Sequence, residues 1–255
     1  MTHILVTNDD GVTAPGLLAL VEALRDLGKV SVLAPDRNWS ASGHVKTLHR
    51  PLRVKEIKLQ DGSPALASDG APSDCVALAM LGLVSDIDLV VSGINPNPNV
   101  GHDVTYSGTV TAAMEAVIWG LPGLAVSLES PENHLEIVDY GPAAEIAKTV
   151  ADTMLSSQMP ADIVLNLNVP GLALSEIKGL QITRQGLRVY HDELLIRSDP
   201  RGVPYYWIGG DPPSGVPDQG TDIGALKGGY ASLTPLNLDL TAANTLQELE
   251  RIFSD

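Results

Sequence analysis

Cysteine is almost missing from this chain: Cys75 is the only one in 255 residues. No intrachain disulfide can form, so stability must come from the core, and a reducing compartment is the natural home. Cys75, at the start of an apolar helical stretch, reads as a small buried hydrophobe. Basic residues are scarce as well. Sixteen Lys and Arg stand against 31 Asp and Glu, a formal charge of −15, and no Lys/Arg cluster could neutralise a polyanion. Long nucleic acid is therefore excluded as a steady partner. No apolar run is long enough to span a bilayer, and the first residues carry no basic region, apolar h-region or cleavage site. A soluble, cytoplasmic protein with no membrane partner is expected. The common nucleotide fingerprints are missing too. There is no G-x-x-x-x-G-K-[ST], and only Gly11 and Gly16 follow the first strand, so neither a P-loop nor G-x-G-x-x-G is present.

What the chain does have is a 44% hydrophobic content, enough for a real core, arranged in short apolar runs that stop at polar loops. The first run, Ile4 to Val6 with Thr7, ends at Asn8-Asp9-Asp10-Gly11 and is followed by Pro15, Leu17, Leu18, Val21 and Leu24 at helical spacing. Val30 to Leu33 is a second strand, ending in the long loop from Pro35 to His44. Ile87 to Ile94 is a third, ending in the loop from Asn95 to Thr109, after which Val110, Ala113, Met114, Val117 and Ile118 spell a helix. Gly123 to Leu128 and Ile163 to Val169 supply further strands, with a helix through Ala143, Ala147, Val150 and Met154 between them. The alternation implies an α/β fold, Rossmann-like and doubly wound, with a mostly parallel sheet. Residues 52 to 67 read as a β-hairpin excursion inserted beside the sheet, with a register break near Lys55-Glu56. From about Gly171 the text turns to Gly- and Pro-rich hairpin language, with Tyr205 to Ile208 as strand and Pro212 to Gly215 as turn. Two units are expected: a catalytic core over 1–170, and a C-terminal extension over 171–255 with hairpins and a terminal helix. Three of the ten aromatic side chains crowd into Tyr205 to Trp207, which suits a partner surface or the hairpin's own packing.

In a doubly wound sheet the tips of the first three strands share an edge, so Asp9, Asp10, Ser40, Asn95 and the Ser107-Gly108-Thr109 turn can converge. Two carboxylates held roughly 5 Å apart repel by about 3 kcal/mol at an effective dielectric near 20, so a positive group belongs beside them. Carboxylates, a hydroxyl and an amide carbonyl suit Mg²⁺ or Mn²⁺ rather than zinc. The plainer alternatives stay open: Asp10 or Thr13 as a helix cap, and Ser107 as an N-cap. Gly108 weakens a helix yet lets a ligand approach the main chain, and Val110 stands where a capping box would want Glu or Gln. A dication opposite a helix N-terminus suggests phosphomonoester hydrolysis.

The ordered set Val6-Thr7-Asn8-Asp9-Asp10-Gly11, Ala34-Pro35-Asp36 with Ser40 and Gly43-His44, Gly70 to Cys75, Ser92-Gly93-Ile94-Asn95 and Ser107 to Val110 resembles the stationary-phase survival protein SurE family of metal-dependent nucleotidases. Asn166 to Pro170, Thr183-Arg184-Gln185 and Gly220-Thr221-Asp222 extend the resemblance over nearly the whole chain. It implies a 5′-nucleotidase, a hydrolase of nucleoside 5′- and 3′-monophosphates that in some members also acts on short polyphosphate. It implies metal ligands at Asp9, Asp10, Ser40 and Asn95, the first two and Asn95 also catalytic. Phosphate contacts are implied at Asn8, Ser107, Gly108 and Thr109, substrate contacts at Gly43, His44 and His102, and a homodimer or homotetramer built through the C-terminal extension. In this chain Asn97, between two prolines, stands where the family usually has glycine, Asn being a residue that tolerates left-handed backbone. A non-catalytic nucleotide-binding regulator is the rival reading.

Overall fold

The computed structural model describes residues 1–130, 138–160 and 162–254. Its frame is a nine-stranded sheet in the order β3-β4-β2-β1-β5-β6-β7-β11-β8. The strands are β1 (His3–Thr7), β2 (Lys29–Pro35), β3 (Val54–Lys58), β4 (Pro64–Ser68), β5 (Leu89–Asn95), β6 (Gly123–Leu128), β7 (Ile163–Val169), β8 (Leu180–Ile182) and β11 (Ala231–Asn237). Four helices flank the sheet: α1 (Pro15–Leu24), α2 (Pro72–Leu78), α3 (Gly108–Ile118) and α4 (Gly141–Ser156). β1 lies inside the sheet and pairs in parallel with both β2 and β5. Because its side chains alternate, Ile4 and Val6 point into the core with Leu17 and Leu20 of α1, while Leu5 joins Val76 and Ala112 on the opposite face. Strand order reverses between β1 and β5, which leaves a crevice at their carboxyl ends.

The doubly wound, mostly parallel architecture read from the apolar runs is present. The excursion at 52–67 differs from expectation in two ways. β3 and β4 pair without a break from Val54–Ser68 to Lys58–Pro64, so there is no slip at Lys55-Glu56. Nor does the hairpin lie beside the sheet: β4 runs parallel to β2, with Leu66 opposite Leu33. Small residues make this docking feasible, since Ala65 and Ala67 turn into the core where larger side chains would hold the hairpin off.

Beyond residue 170 the chain does two things. β11 returns antiparallel to β7 and carries β8 on its outer side, so both belong to the main sheet. β9 (Arg188–Ser198) and β10 (Pro204–Gly215) form a separate antiparallel ribbon. Pro212 and Pro213 do not make the expected turn. They sit in a register shift between Asp211 and Ser214, where a missing N–H costs no ladder bond. The short α5 (Asp222–Lys227) packs near β11, and α6 (Leu246–Phe253) buries none of its residues. Among the described residues no helix is long and apolar enough to cross a membrane.

Candidate active site

A groove of about 710 Å³ opens at the crevice beside β1 and β5. Asp9, Asp10, Ser40, Asn95 and Ser107 all line it, so five of the expected site residues come together. The turn after β1 is shaped by Asn8. Its fully buried amide accepts from the Gly11 N–H at 3.2 Å and donates to the Gly11 carbonyl at 3.0 Å, while Gly11 takes φ +105°. Asn8 therefore spends its side chain on holding the carboxylates in place and does not line the groove.

Asp9 is 4% exposed and accepts a hydrogen bond from the Thr109 hydroxyl at 2.6 Å. Burial pushes its pKa up, although the Thr109 hydroxyl and the main-chain amides of Asp9, Thr109 and Gly108 pull the other way. Gly108 is required here by close approach. A Cβ on it would lie 2.7 Å from the Asp9 Cβ and 3.1 Å from the Ser42 Oγ. The start of α3 thus serves the buried carboxylate directly. Asp10 is half-buried, and burial first, then the neighbouring Asp9 charge, raises its pKa to about 7. Among the described residues its only side-chain hydrogen bond is a long one, 3.5 Å, from Asn38 Nδ2. It does not cap α1, whose N-terminus has no side-chain cap.

Ser107 both caps α3 and faces the groove. Its Oγ accepts from the Val110 N–H at 3.1 Å, a true N-cap, and it also lines the groove with its own O–H free to donate. Asn95 donates from Nδ2 to the Asn97 carbonyl at 2.5 Å, which leaves Oδ1 without a hydrogen bond among the described residues. Asn97 has no positive φ, so this loop does not use the left-handed backbone expected there.

Gly43, His44 and His102 lie outside the groove lining. The Gly43 N–H donates to the Tyr106 carbonyl at 2.9 Å. His44 Nε2 is 2.8 Å from Glu115 Oε2. Glu115 also takes hydrogen bonds from Lys46 and the Trp119 indole. Burial raises its pKa, but these three partners outweigh that and hold it at about 2. His44 is thus a strut between its loop and α3. His102 is exposed in a 3-10 turn over Gly101–Thr105.

Several groove residues were not singled out from the sequence. Tyr106 and Arg188 face the far part, and the end of β10 from Pro212 to Gly215 forms a wall. Arg188 Nε lies 2.7 Å from Asp103 Oδ2, and the Tyr190 hydroxyl donates to Asp103 Oδ1 at 2.7 Å, so the ribbon is tied to the loop after β5. Behind the lining, the Ser42 Oγ is buried beside Gly108, with no hydrogen-bond partner among the described residues. Tyr106 and Asp103 belong to the loop from Asn95 to Thr109; the ribbon residues carry no local signal.

The donor set suits a hard divalent cation. Asp9 and Asp10 have no ion-pair partner among the described residues, and the four candidate ligands offer only oxygen toward one groove. No cluster of three or more His, Cys, Asp and Glu occurs among the described residues, so a cation here would rest on two carboxylates with hydroxyl and amide oxygens.

Fold and site together define a doubly wound α/β protein with an acidic, oxygen-lined groove at its topological switch point. The model of the family described as Survival protein SurE matches residues 4–192. A protein of Herpetosiphon aurantiacus named 5′-nucleotidase SurE is 52% identical over 97% of this chain and 96% of its own length. One of the same name from Chloroflexus aggregans is 51% identical over 98% of each chain. The crystal structure of the SurE protein from Aquifex aeolicus superposes with a TM-score of 0.82 at 39% identity, covering 99% of this chain and all of that one. This chain belongs to the SurE family.

Proposed function

We propose that the groove is the reacting centre of a 5′-nucleotidase, which releases phosphate from nucleoside 5′-monophosphates. The observation that carries this is the packed unit of Asp9, Gly108 and Thr109, which holds one carboxylate immobile at a helix N-terminus while Asp10, Ser40, Asn95 and Ser107 face the same space. Asp9, Asp10, Ser40 and Asn95 would hold a divalent cation, Mg²⁺ or Mn²⁺. When bound, such a cation supplies Lewis acidity toward the phosphoryl oxygens.

The chain's own groups do the rest. Ser107 donates its O–H to a phosphoryl oxygen, and the positive end of α3 behind it favours the anion. Asp9 is fixed by Thr109, whereas Asp10 has only the long Asn38 hydrogen bond among the described residues, so Asp10 is the carboxylate placed to take the proton of an attacking water. Tyr106 and the end of β10 form the walls available to the nucleoside.

Assembly into a homodimer or homotetramer belongs to the same proposal. It is supported by apolar side chains that the single chain leaves exposed: Tyr206, Trp207 and Ile208 on the ribbon, and Ile252 and Phe253 on α6. The net charge of −15 keeps long nucleic acid off the partner set. The test is phosphate release from a panel of nucleoside 5′- and 3′-monophosphates and short polyphosphate, with Mg²⁺, with Mn²⁺ and with chelator. Release that needs metal supports the reading. Tight nucleotide binding with no release under any condition would replace it with a binding protein.

A further inference from the structure

Three stretches of the family resemblance take no part in lining the groove: Asn166 with Asn168, Thr183-Arg184-Gln185, and Gly220-Thr221-Asp222. They converge on one short piece of main chain, Asn99 to Gly101. The Asn99 N–H donates to Asn168 Oδ1 at 2.7 Å, and the Asn99 carbonyl accepts from Asn166 Nδ2 at 2.8 Å and Asn168 Nδ2 at 3.1 Å. Its side chain reaches the Ser127 hydroxyl at 2.8 Å. Asn166, Asn168 and Ser127 are fully buried, the first two on β7 and Ser127 near the end of β6.

Gly101 is held in the same way from the other side. Its N–H donates to Asp222 Oδ2 at 2.8 Å, and its carbonyl accepts from Gln185 Nε2 at 2.8 Å. Asp222, also fully buried, uses its other oxygen on the N–H groups of Gly186 at 2.7 Å and Ile223 at 2.8 Å. Gly101 takes φ +52°, and a Cβ there would stand 2.7 Å from the Gly186 carbonyl, so the two loops touch main chain to main chain. A buried segment of irregular backbone needs partners for every N–H and C=O. Here side chains from the second half of the chain supply them, and the segment lies between Asn95 and Ser107.

We propose that Asn166, Asn168, Gln185 and Asp222 form a clamp on Asn99 and Gly101, and that they are positioning residues which set where Asn95 and Ser107 stand in the groove. The inference rests on the assignment of Asn95 and Ser107 to the reacting centre. A side chain that only holds the fold together would lower stability without touching the groove. A clamp loosens the loop and weakens cation binding while the rest of the sheet is unaffected.

Two variants of the full chain separate these cases. Gln185→Ala removes one hydrogen bond from an exposed residue, and Asn168→Asp keeps the acceptor for the Asn99 N–H but loses the donor to its carbonyl. Amide hydrogen exchange over residues 97–107 is compared with that of β1 and β5, and Mn²⁺ affinity is read by electron paramagnetic resonance. Gln185→Ala is expected to speed exchange in the loop by about five-fold, the worth of one neutral hydrogen bond, to raise the Mn²⁺ Kd by up to that factor, and to lower Tm in chelator by only about 2–4 °C. Asn168→Asp should act in the same direction and more strongly. Unchanged loop exchange in both variants overturns the clamp. Faster exchange with unaltered Mn²⁺ affinity overturns the positioning role. A wild-type chain that binds no Mn²⁺ would count against the functional reading instead, and the exchange comparison would still decide the clamp.

Discussion

Gly108→Ala puts the closest contact in the site under load. The added methyl would meet the Asp9 Cβ at 2.7 Å and Asp9 Oδ2 at 3.0 Å. A Cβ moves only with its backbone, and β1 is locked between β2 and β5, so rotamer changes cannot relieve the first contact. The start of α3 must retreat instead, by something under about 1 Å if ordinary contact is to be restored. Overpacking of this kind costs about 1–3 kcal/mol, and replacing Gly by Ala in a helix returns at most about 1 kcal/mol. The net loss of about 0–2 kcal/mol corresponds to a Tm lower by roughly 0–8 °C in a chain of this size. Activity should suffer much more, because a misplacement of about 1 Å at reacting groups can cost on the order of 100-fold. Thermal denaturation and steady-state phosphate release on the same preparation measure both. A variant with wild-type Tm and wild-type kcat would refute the claim that Gly108 is there to admit Asp9.

Asp9→Asn should leave a folded protein with no measurable phosphate release from any nucleoside monophosphate; near-normal turnover would remove Asp9 from the site. Thr109→Val deletes the 2.6 Å hydrogen bond to a buried carboxylate, and a loss of about 2 kcal/mol in denaturant unfolding is expected, with Mn²⁺ restoring part of it. The Asp10 pKa rises from 3.8 to about 7 on folding, so its contribution to stability is complete below 3.8 and disappears as pH climbs through 7. In chelator, the Tm of wild type should therefore fall relative to Asp10→Asn across that window, and a flat difference would contradict the assignment. Replacing Trp207 and Ile208 together with serine should reduce the mass seen by light scattering in gel filtration, without changing Mn²⁺ affinity.

The sheet was legible because its strands are buried on both faces and therefore read as unbroken apolar runs, from Ile4 to Val6 and again from Leu89 to Ile94. The convergence of Asp9, Asp10, Ser40, Asn95 and Ser107 followed from topology alone, since each closes or follows a strand of one parallel set. Other features depended on contacts between segments far apart in the chain, which leave no local pattern. Ala65 and Ala67 look like any weak strand until β2 is beside them. His44, where the resemblance implies a substrate contact, gives no local sign that Glu115 stands 2.8 Å away. Asn8, where the resemblance implies a phosphate contact, gives no local sign that its amide is engaged by the Gly11 main chain. Nothing near Arg188 or Pro212 announces that a ribbon will form the groove's far wall.

The return of β11 to the edge of β7, with α5 and Asp222 just before it, bears on how the enzyme comes into being. Both carboxylates leave the ribosome early, but the residues that hold Gly101 follow only when most of the chain has been made. Domains form as their parts are synthesised, from the N-terminus onward. A nascent chain that has finished only β1 to β7 carries its acids in a half-built cleft. Competence for phosphate release therefore arrives late, as one of the last events of synthesis.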